Sequence, residues 1–325
     1  MTADATYGYD EAALLAVPAP SPPDDFAAFW QGRYARARAV DVAPSMRAAE
    51  QSIGSNAVYD VSFTSVDGVR IGGWLTMPLD GAVERGVVVG HGYGGRDRPD
   101  VEVPADRAAA LYFCARGMPD RSRQPDIPDT ADRHVLHGIG ARDTYVHGGC
   151  AADLWCAVTA LLSLVPEAAG RIDYVGGSFG GGVGALAVPW DDRIAAACLI
   201  VPSFGQHPLR LTMPCVGSGE AVRLRAQRDP SVLGVLPYFD AASAATYLRV
   251  PTHVAAALSD PAVPPPGQFA VYNAAPAVKE LFVLSAAHCT YPGMAAEERA
   301  LSAAQRRFLQ WTAEPTTPMG EKESL

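Results

Sequence analysis

The chain has 325 residues, 49% of them hydrophobic and only 19% charged, with a formal net charge of −9. This length allows one large α/β domain with an extension, or two modest domains, and the apolar content supplies a substantial core. The acidic balance argues against nucleic acid or an anionic membrane as the main partner.

Residues 1–24 are rich in proline, alanine and aspartate and end in Pro18-Ala-Pro-Ser-Pro-Pro23, which reads as an arm lying on the surface or on a neighbour. Met1 to Asp10 carries acid and no apolar core, so no signal peptide is expected and the reading is cytoplasmic. No run is expected to reach the length of a membrane span. Asp24 or Asp25 can cap a helix over Asp25 to Tyr34, because Phe26, Phe29, Trp30 and Tyr34 recur at helical spacing. Arm and helix form a first unit, 1–57, packed on a main unit over 58–313. A polar tail, 314–325, is expected to be disordered.

Within the main unit, Tyr59–Ser65 and Val69–Thr76 alternate and are joined through Asp67-Gly68, the pattern of an antiparallel hairpin. Arg85–His91 is an unbroken apolar strand of the kind found inside parallel sheets. Ala108–Arg116 is the next strand, and the Pro-, Asp- and His-rich stretch 117–144 reads as a long surface excursion. A helix over Cys150–Leu164 leads into a short strand, Arg171–Val175. Further strands are expected at Ile194–Val201, Thr252–Leu258 and Glu280–Leu284, with a last helix from Ala295 to Trp311. Strands separated by helices give a three-layer α/β fold whose sheet is mostly parallel, with the antiparallel hairpin at its N-terminal side. Six cysteines without C-x-x-C spacing read as free, buried thiols.

The chemistry is carried by Gly176-Gly-Ser-Phe-Gly180, a G-x-S-x-G sequence between the strand ending at Val175 and a small-residue helix start, Gly181–Val188. A serine on a sharp strand-to-helix turn needs small residues two before and two after it, here Gly176 and Gly180. Such a pattern also arises by chance in glycine-rich loops, and this chain has 31 glycines. The context decides. A serine hydroxyl needs a base, and the base needs a third group to fix its tautomer, in the chain order Ser, acid, His. Among the later histidines, His207 follows no strand and His253 lies inside one, whereas His288 sits in a turn after Leu281–Ser285. Asp260 ends the strand Val254–Ser259, unlike Asp229 and Asp240. The candidate triad is Ser178, Asp260 and His288. The backbone N–H of Phe179 and that of Tyr93, in the turn Gly90-His-Gly-Tyr-Gly-Gly95, are the candidate oxyanion donors.

Assembled, these segments resemble the acetyl xylan esterase and cephalosporin C deacetylase family of α/β-hydrolases, over about residues 22–311. The resemblance rests on Pro23–Trp30, Phe63–Trp74, His91–Gly95, Leu236–Asp240 and Ser259–Pro266 followed by Phe269–Asn273. It implies an α/β-hydrolase fold, with Asp260 and His288 as acid and base. It also implies hydrolysis of small acyl, typically acetyl, esters of sugars or antibiotics by a ring-like homo-oligomer such as a hexamer. Three positions depart from the family pattern: Met118 after Arg116-Gly117, Phe179 after the serine and Cys289 after the histidine. They make the surroundings less polar.

The expected function is therefore a serine esterase acting on a small acylated molecule through an acyl-serine intermediate, with no cofactor or metal. A peptidase or acyltransferase on the same triad is the alternative, as is a non-catalytic binding module of the same fold. His134, His137 and His147, with Asp132 and Asp143 nearby, could suggest a metal site, but they lack the glutamate of a zinc hydrolase. Cys289 beside His288 reads as a buried structural cysteine.

Overall fold

The computed structural model describes residues 4–119, 121–276 and 278–312; the expected tail at 314–325 lies outside the described residues. The alternating and apolar runs become strands β1 (Ser45–Ile53), β2 (Asn56–Thr64), β3 (Arg70–Pro78), β4 (Arg85–Val89), β5 (Ala108–Phe113), β6 (Ile172–Gly177), β7 (Ile194–Ile200), β8 (Thr252–Ala257) and β9 (Lys279–Leu284). They form one nine-stranded sheet in the order β1-β2-β3-β5-β4-β6-β7-β8-β9. The strands from β4 to β9 run parallel, and β1, β2 and β3 join antiparallel at one edge. The hairpin of β2 and β3 keeps its register from Asn56 opposite Pro78 to Thr64 opposite Arg70. β1 extends this edge upstream of residue 58. No hydrophobic alternation marks it, because an edge strand has little to bury: Met46, Arg47 and Ala48 are exposed.

The helices are α1 (Glu11–Leu15), α2 (Phe26–Arg38), α3 (Ala131–His134), α4 (Val146–Leu164), α5 (Phe179–Ala187), α6 (His207–Arg210), α7 (Ser218–Arg228), α8 (Ala241–Ala245), α9 (Pro265–Ala274) and α10 (Met294–Trp311). α4 is long and apolar enough to cross a membrane by length and composition, contrary to the expectation that no segment is. Its side chains are instead buried against the sheet, α2 and α5. A helix covered on nearly all sides is apolar all round, which explains its composition. The three layers are the sheet, the helices α2, α4, α5 and their neighbours on one face, and α10 on the other.

Three expectations change on inspection of side chains. Asp25 does stand at the N-cap position of α2, but it makes no capping bond. Its carboxylate accepts from the Tyr238 hydroxyl and pairs with Arg142 at 2.6 Å, so it ties the arm to later chain. The stretch 117–144 is not wholly a surface excursion, since Met118, His134, Val135 and Ile139 are buried under the site. Four cysteines are buried as expected, but Cys215 is half-buried and Cys289 is exposed in the turn after β9.

The proline-rich arm lies against the core. Asn273 donates its amide to the carbonyls of Leu14 and Val17, and Gln206 and Ser243 donate to those of Pro18 and Pro20. At its far end, the carbonyl of Ala5 accepts from the backbone N–H of Asp260 at 2.9 Å. Proline lacks a donor, so such an arm docks through its carbonyls, which side-chain amides and hydroxyls satisfy.

Candidate active site

Ser178 lies between the end of β6 and the start of α5, with φ 54° and ψ −114°, a backbone conformation that costs a non-glycine residue of order 1–3 kcal/mol. Hydrogen bonds hold it there. The Ser178 N–H donates to the Ile200 carbonyl at 2.8 Å, and its own carbonyl accepts from Gly182 and Ser203 at 3.0 and 3.1 Å. The flanking glycines are required by close backbone approach. A Cβ on Gly180 would lie 2.9 Å from the backbone N and O of His91, and one on Gly176 would lie 2.8 Å from the Gly180 carbonyl oxygen. The elbow and the turn after β4 are in direct contact, and the Gly180 N–H donates to the His91 carbonyl at 2.9 Å.

The structure brings the three predicted side chains together. Ser178 Oγ is 2.9 Å from His288 Nε2, and His288 Nδ1 is 2.8 Å from Asp260 Oδ2. A carboxylate can only accept here, so Nδ1 carries the imidazole proton and Nε2 is left as acceptor for the serine hydroxyl. His288 reaches this position from a turn at φ 51°, with its side chain 28% exposed. Asp260 is fully buried. Its Oδ1 accepts from the N–H groups of Ala262 and Val263, both at 2.9 Å, and its Oδ2 also accepts from Gln268 Nε2 at 2.8 Å.

Gln268, on the first turns of α9, was not among the sequence candidates. Its amide donates to Asp260 and to the Val263 carbonyl, and its oxygen accepts from the Ala257 N–H at 2.8 Å. The only hint in the sequence is one polar residue among apolar neighbours eight positions after the acid. We expect Gln268→Met to lower kcat about tenfold with KM little changed, because Asp260 loses one neutral hydrogen bond of roughly 1 kcal/mol and some orientation. Steady-state kinetics check this; a change confined to KM would contradict it.

The other titratable candidates lie apart from this chain of hydrogen bonds. Asp240 caps α8 and holds the N–H groups of Gln206 and His207, and Asp229 caps the short turn at Pro230. His253 is buried in β8, with the Glu280 carboxylate 3.9 Å away.

The turn after β4 is shaped by His91. Its Nε2 accepts from the Ala115 N–H at 2.9 Å, so its Nδ1–H donates to the Gly92 carbonyl at 2.7 Å. Burial pushes His91 down to about 4, which keeps it neutral and this pattern intact near neutral pH. Neither the Tyr93 nor the Phe179 backbone N–H donates to a protein acceptor among the described residues. The Tyr93 hydroxyl lies 3.1 Å from His147 Nε2 and 3.4 Å from His134 Nδ1, while His134 Nε2–H donates to the Arg116 carbonyl at 2.9 Å. Two of the three histidines of the conceivable metal cluster, His134 and His147, thus meet on a phenol.

The departures at Met118 and Phe179 are interior ones. Phe179 packs its ring 4.3 Å from that of Tyr93 and 5.8 Å from that of His91, beneath the elbow. Met118 is fully buried, and the preceding Arg116 is engaged with the buried Asp153 at 2.8 Å. Only Cys289 faces outward.

A mostly parallel sheet carrying a serine elbow between β6 and α5 defines the α/β-hydrolase fold. Solved structures agree in fold. An acetyl xylan esterase from Paenibacillus sp. R4 matches with a TM-score of 0.75 at 24% identity, covering 91% of this chain and 99% of that one. Acetyl xylan esterase 1 from Thermoanaerobacterium sp. JW/SL YS485 matches with a TM-score of 0.77 at 20% identity, with the same coverage of 91% and 99%. An esterase from Pyrococcus furiosus matches at 0.53 and 16% identity, over 79% of this chain and 93% of that one.

The acetyl xylan esterase family model matches residues 17–306, and the chain belongs to that family. It is a carboxylic ester hydrolase of the serine esterase type.

Proposed function

We propose that this esterase removes small acyl groups, acetyl foremost, from the hydroxyls of a small polar molecule through an acyl intermediate on Ser178. The observation that carries this reading is the unbroken run of hydrogen bonds from Ser178 through His288 to Asp260, at 2.9 and 2.8 Å. Ser178 Oγ attacks the acyl carbon as His288 Nε2 takes its proton. The tetrahedral oxyanion is held by the N–H groups of Tyr93 and Phe179, at the start of α5 where the helix dipole favours negative charge. As the intermediate collapses, His288 returns the proton to the departing alkoxide. Water then adds to the acyl-serine with His288 again as base, and the acid leaves. Asp260 keeps the imidazole in the Nδ1–H tautomer and stabilises its charged form. A fluorophosphonate probe tests the reading directly: the protein should be labelled, and Ser178→Ala should not. Labelling that survives the substitution would place the nucleophile elsewhere.

The setting favours short acyl chains and polar alcohols. Beside the elbow lies an open cavity of about 480 Å³ lined by Gly92, Arg96, Asp97, Arg98, Gly177 and Ile200. Charged groups on its rim suit a hydroxylated leaving group and disfavour a long apolar chain, which gains little unless it is buried. We expect p-nitrophenyl acetate to be turned over faster than p-nitrophenyl octanoate, compared as kcat/KM. Equal or better turnover of the octanoate would overturn the short-acyl assignment.

A further inference from the structure

Arg210 closes α6 and is 4% exposed, yet among the described residues no hydrogen bond or ion pair reaches its guanidinium. Its surroundings are built to admit that group. A Cβ on Gly219 would lie 2.2 Å from Arg210 Nη2 and 2.9 Å from Cys215 Sγ, so the guanidinium rests directly against Gly219. The carboxylates nearest in the chain are already engaged. Glu220 pairs with Arg223 at 2.5 Å and accepts from the Cys215 N–H, and Asp260 is saturated by His288, Gln268 and two backbone N–H groups.

Among the described residues, the buried polar atoms without a partner also include Tyr145 Oη, His147 Nδ1 and His207 Nδ1. These residues are packed together. The Tyr145 and His147 rings are 4.5 Å apart, and His207 Nε2–H donates to the carbonyl of Phe239, whose ring lies 4.8 Å from that of Tyr145. The Tyr93 hydroxyl is 3.1 Å from His147 Nε2, and the His147 ring lies 4.1 Å from that of Phe204, three residues before His207 at the start of α6. Cys215, which borders Gly219 together with the guanidinium, precedes Val216, whose N–H donates to the carbonyl of Pro261, next to Asp260, at 2.8 Å. Arg210 therefore stands between the turn that carries Tyr93 and the loop that carries Asp260.

A guanidinium so largely withdrawn from water without a counter-ion is unfavourable, and an orphaned acceptor beside it adds to the deficit. Both are relieved by a bound anion that also carries a hydrogen-bond donor. We propose that Arg210 is an anion-recognition residue of this esterase, selecting esters whose alcohol portion bears a carboxylate. The carboxylate meets the guanidinium, and a hydroxyl of the same molecule meets His207 Nδ1. The assignment rests on the reading that Ser178 is the nucleophile.

The test compares 3- and 4-acetoxybenzoate with their methyl esters in the wild type, Arg210→Met and Arg210→Lys. The wild type should prefer at least one carboxylate over its ester in kcat/KM. Arg210→Met should lower that preference about tenfold to hundredfold, the scale of one charge-assisted hydrogen bond, and Arg210→Lys should lower it less. Binding of the preferred acetoxybenzoate to Ser178→Ala, followed by calorimetry, should weaken about tenfold or more when Arg210→Met is added. Methionine fills the site without a buried charge, so melting should not drop; should that variant fail to fold, Arg210→Lys still reads the preference. An unchanged preference in folded variants, with fluorophosphonate labelling of Ser178 intact, overturns the role of Arg210 and leaves the esterase reading standing. Absence of labelling in the wild type overturns the esterase reading instead.

Discussion

Replacing Ser178 with alanine is expected to lower kcat for p-nitrophenyl acetate by roughly 10⁴- to 10⁶-fold, the range over which serine hydrolases lose a nucleophile that acts with its base as a unit. The fold should persist. The bonds that hold the elbow are made by backbone groups: the Ser178 N–H to Ile200, and the Ser178 carbonyl to Gly182 and Ser203. Alanine keeps all of them and bears the same strain at φ 54°. What is lost is Oγ alone, and with it the acceptor of the acyl group. Residual hydrolysis above that in buffer would come from the N–H groups of Tyr93 and Phe179 and from binding. Burst kinetics and melting of the variant are the measurements. A loss of less than tenfold would sink the assignment of Ser178.

His288→Ala should cost nearly as much, and Ser178→Ala/His288→Ala should be no slower than Ser178→Ala alone. An unassisted serine hydroxyl is a weak nucleophile, and a base has no purpose without it, so the two losses do not add. Three of the four hydrogen bonds to Asp260 remain in the variant, from Ala262, Val263 and Gln268, so the buried carboxylate is not abandoned. Alanine at φ 51° costs on the order of 1 kcal/mol as a left-handed residue, as histidine already does there. Melting should move by a few degrees at most. Near-normal rates in His288→Ala, or fully multiplicative losses in the double variant, would mean that another group takes the proton.

Much of this site could be read along the chain because its parts sit at places where local sequence is constrained. Ser178 is bracketed by glycines that the close approach of His91 and Gly180 demands. Asp260 and His288 follow strands whose apolar runs are plain. Gln268 and Arg210 were not legible, since a lone polar residue on a short helix looks the same whether it faces water or a buried carboxylate. Phe179 was legible as a departure but not in its meaning: its ring turns under the elbow, into a box with Tyr93, His91 and His134, rather than toward a substrate. The histidines of 134–147 were set aside as a metal pattern, but spacing alone does not tell that His134 and His147 converge on the Tyr93 hydroxyl. β1 escaped notice because an exposed edge strand carries no alternation.

By itself, the sequence determined the elbow, the chain order of Ser178, Asp260 and His288, and the layered α/β fold, all of which follow from short-range constraints of turn, period and strand end. Tertiary structure alone decided which polar groups meet and which are left without a partner. Burial and pairing are properties of segments far apart in the chain: Ala5 on Asp260, Gln268 on the acid loop, and Arg210 buried against Gly219 without an ion pair among the described residues.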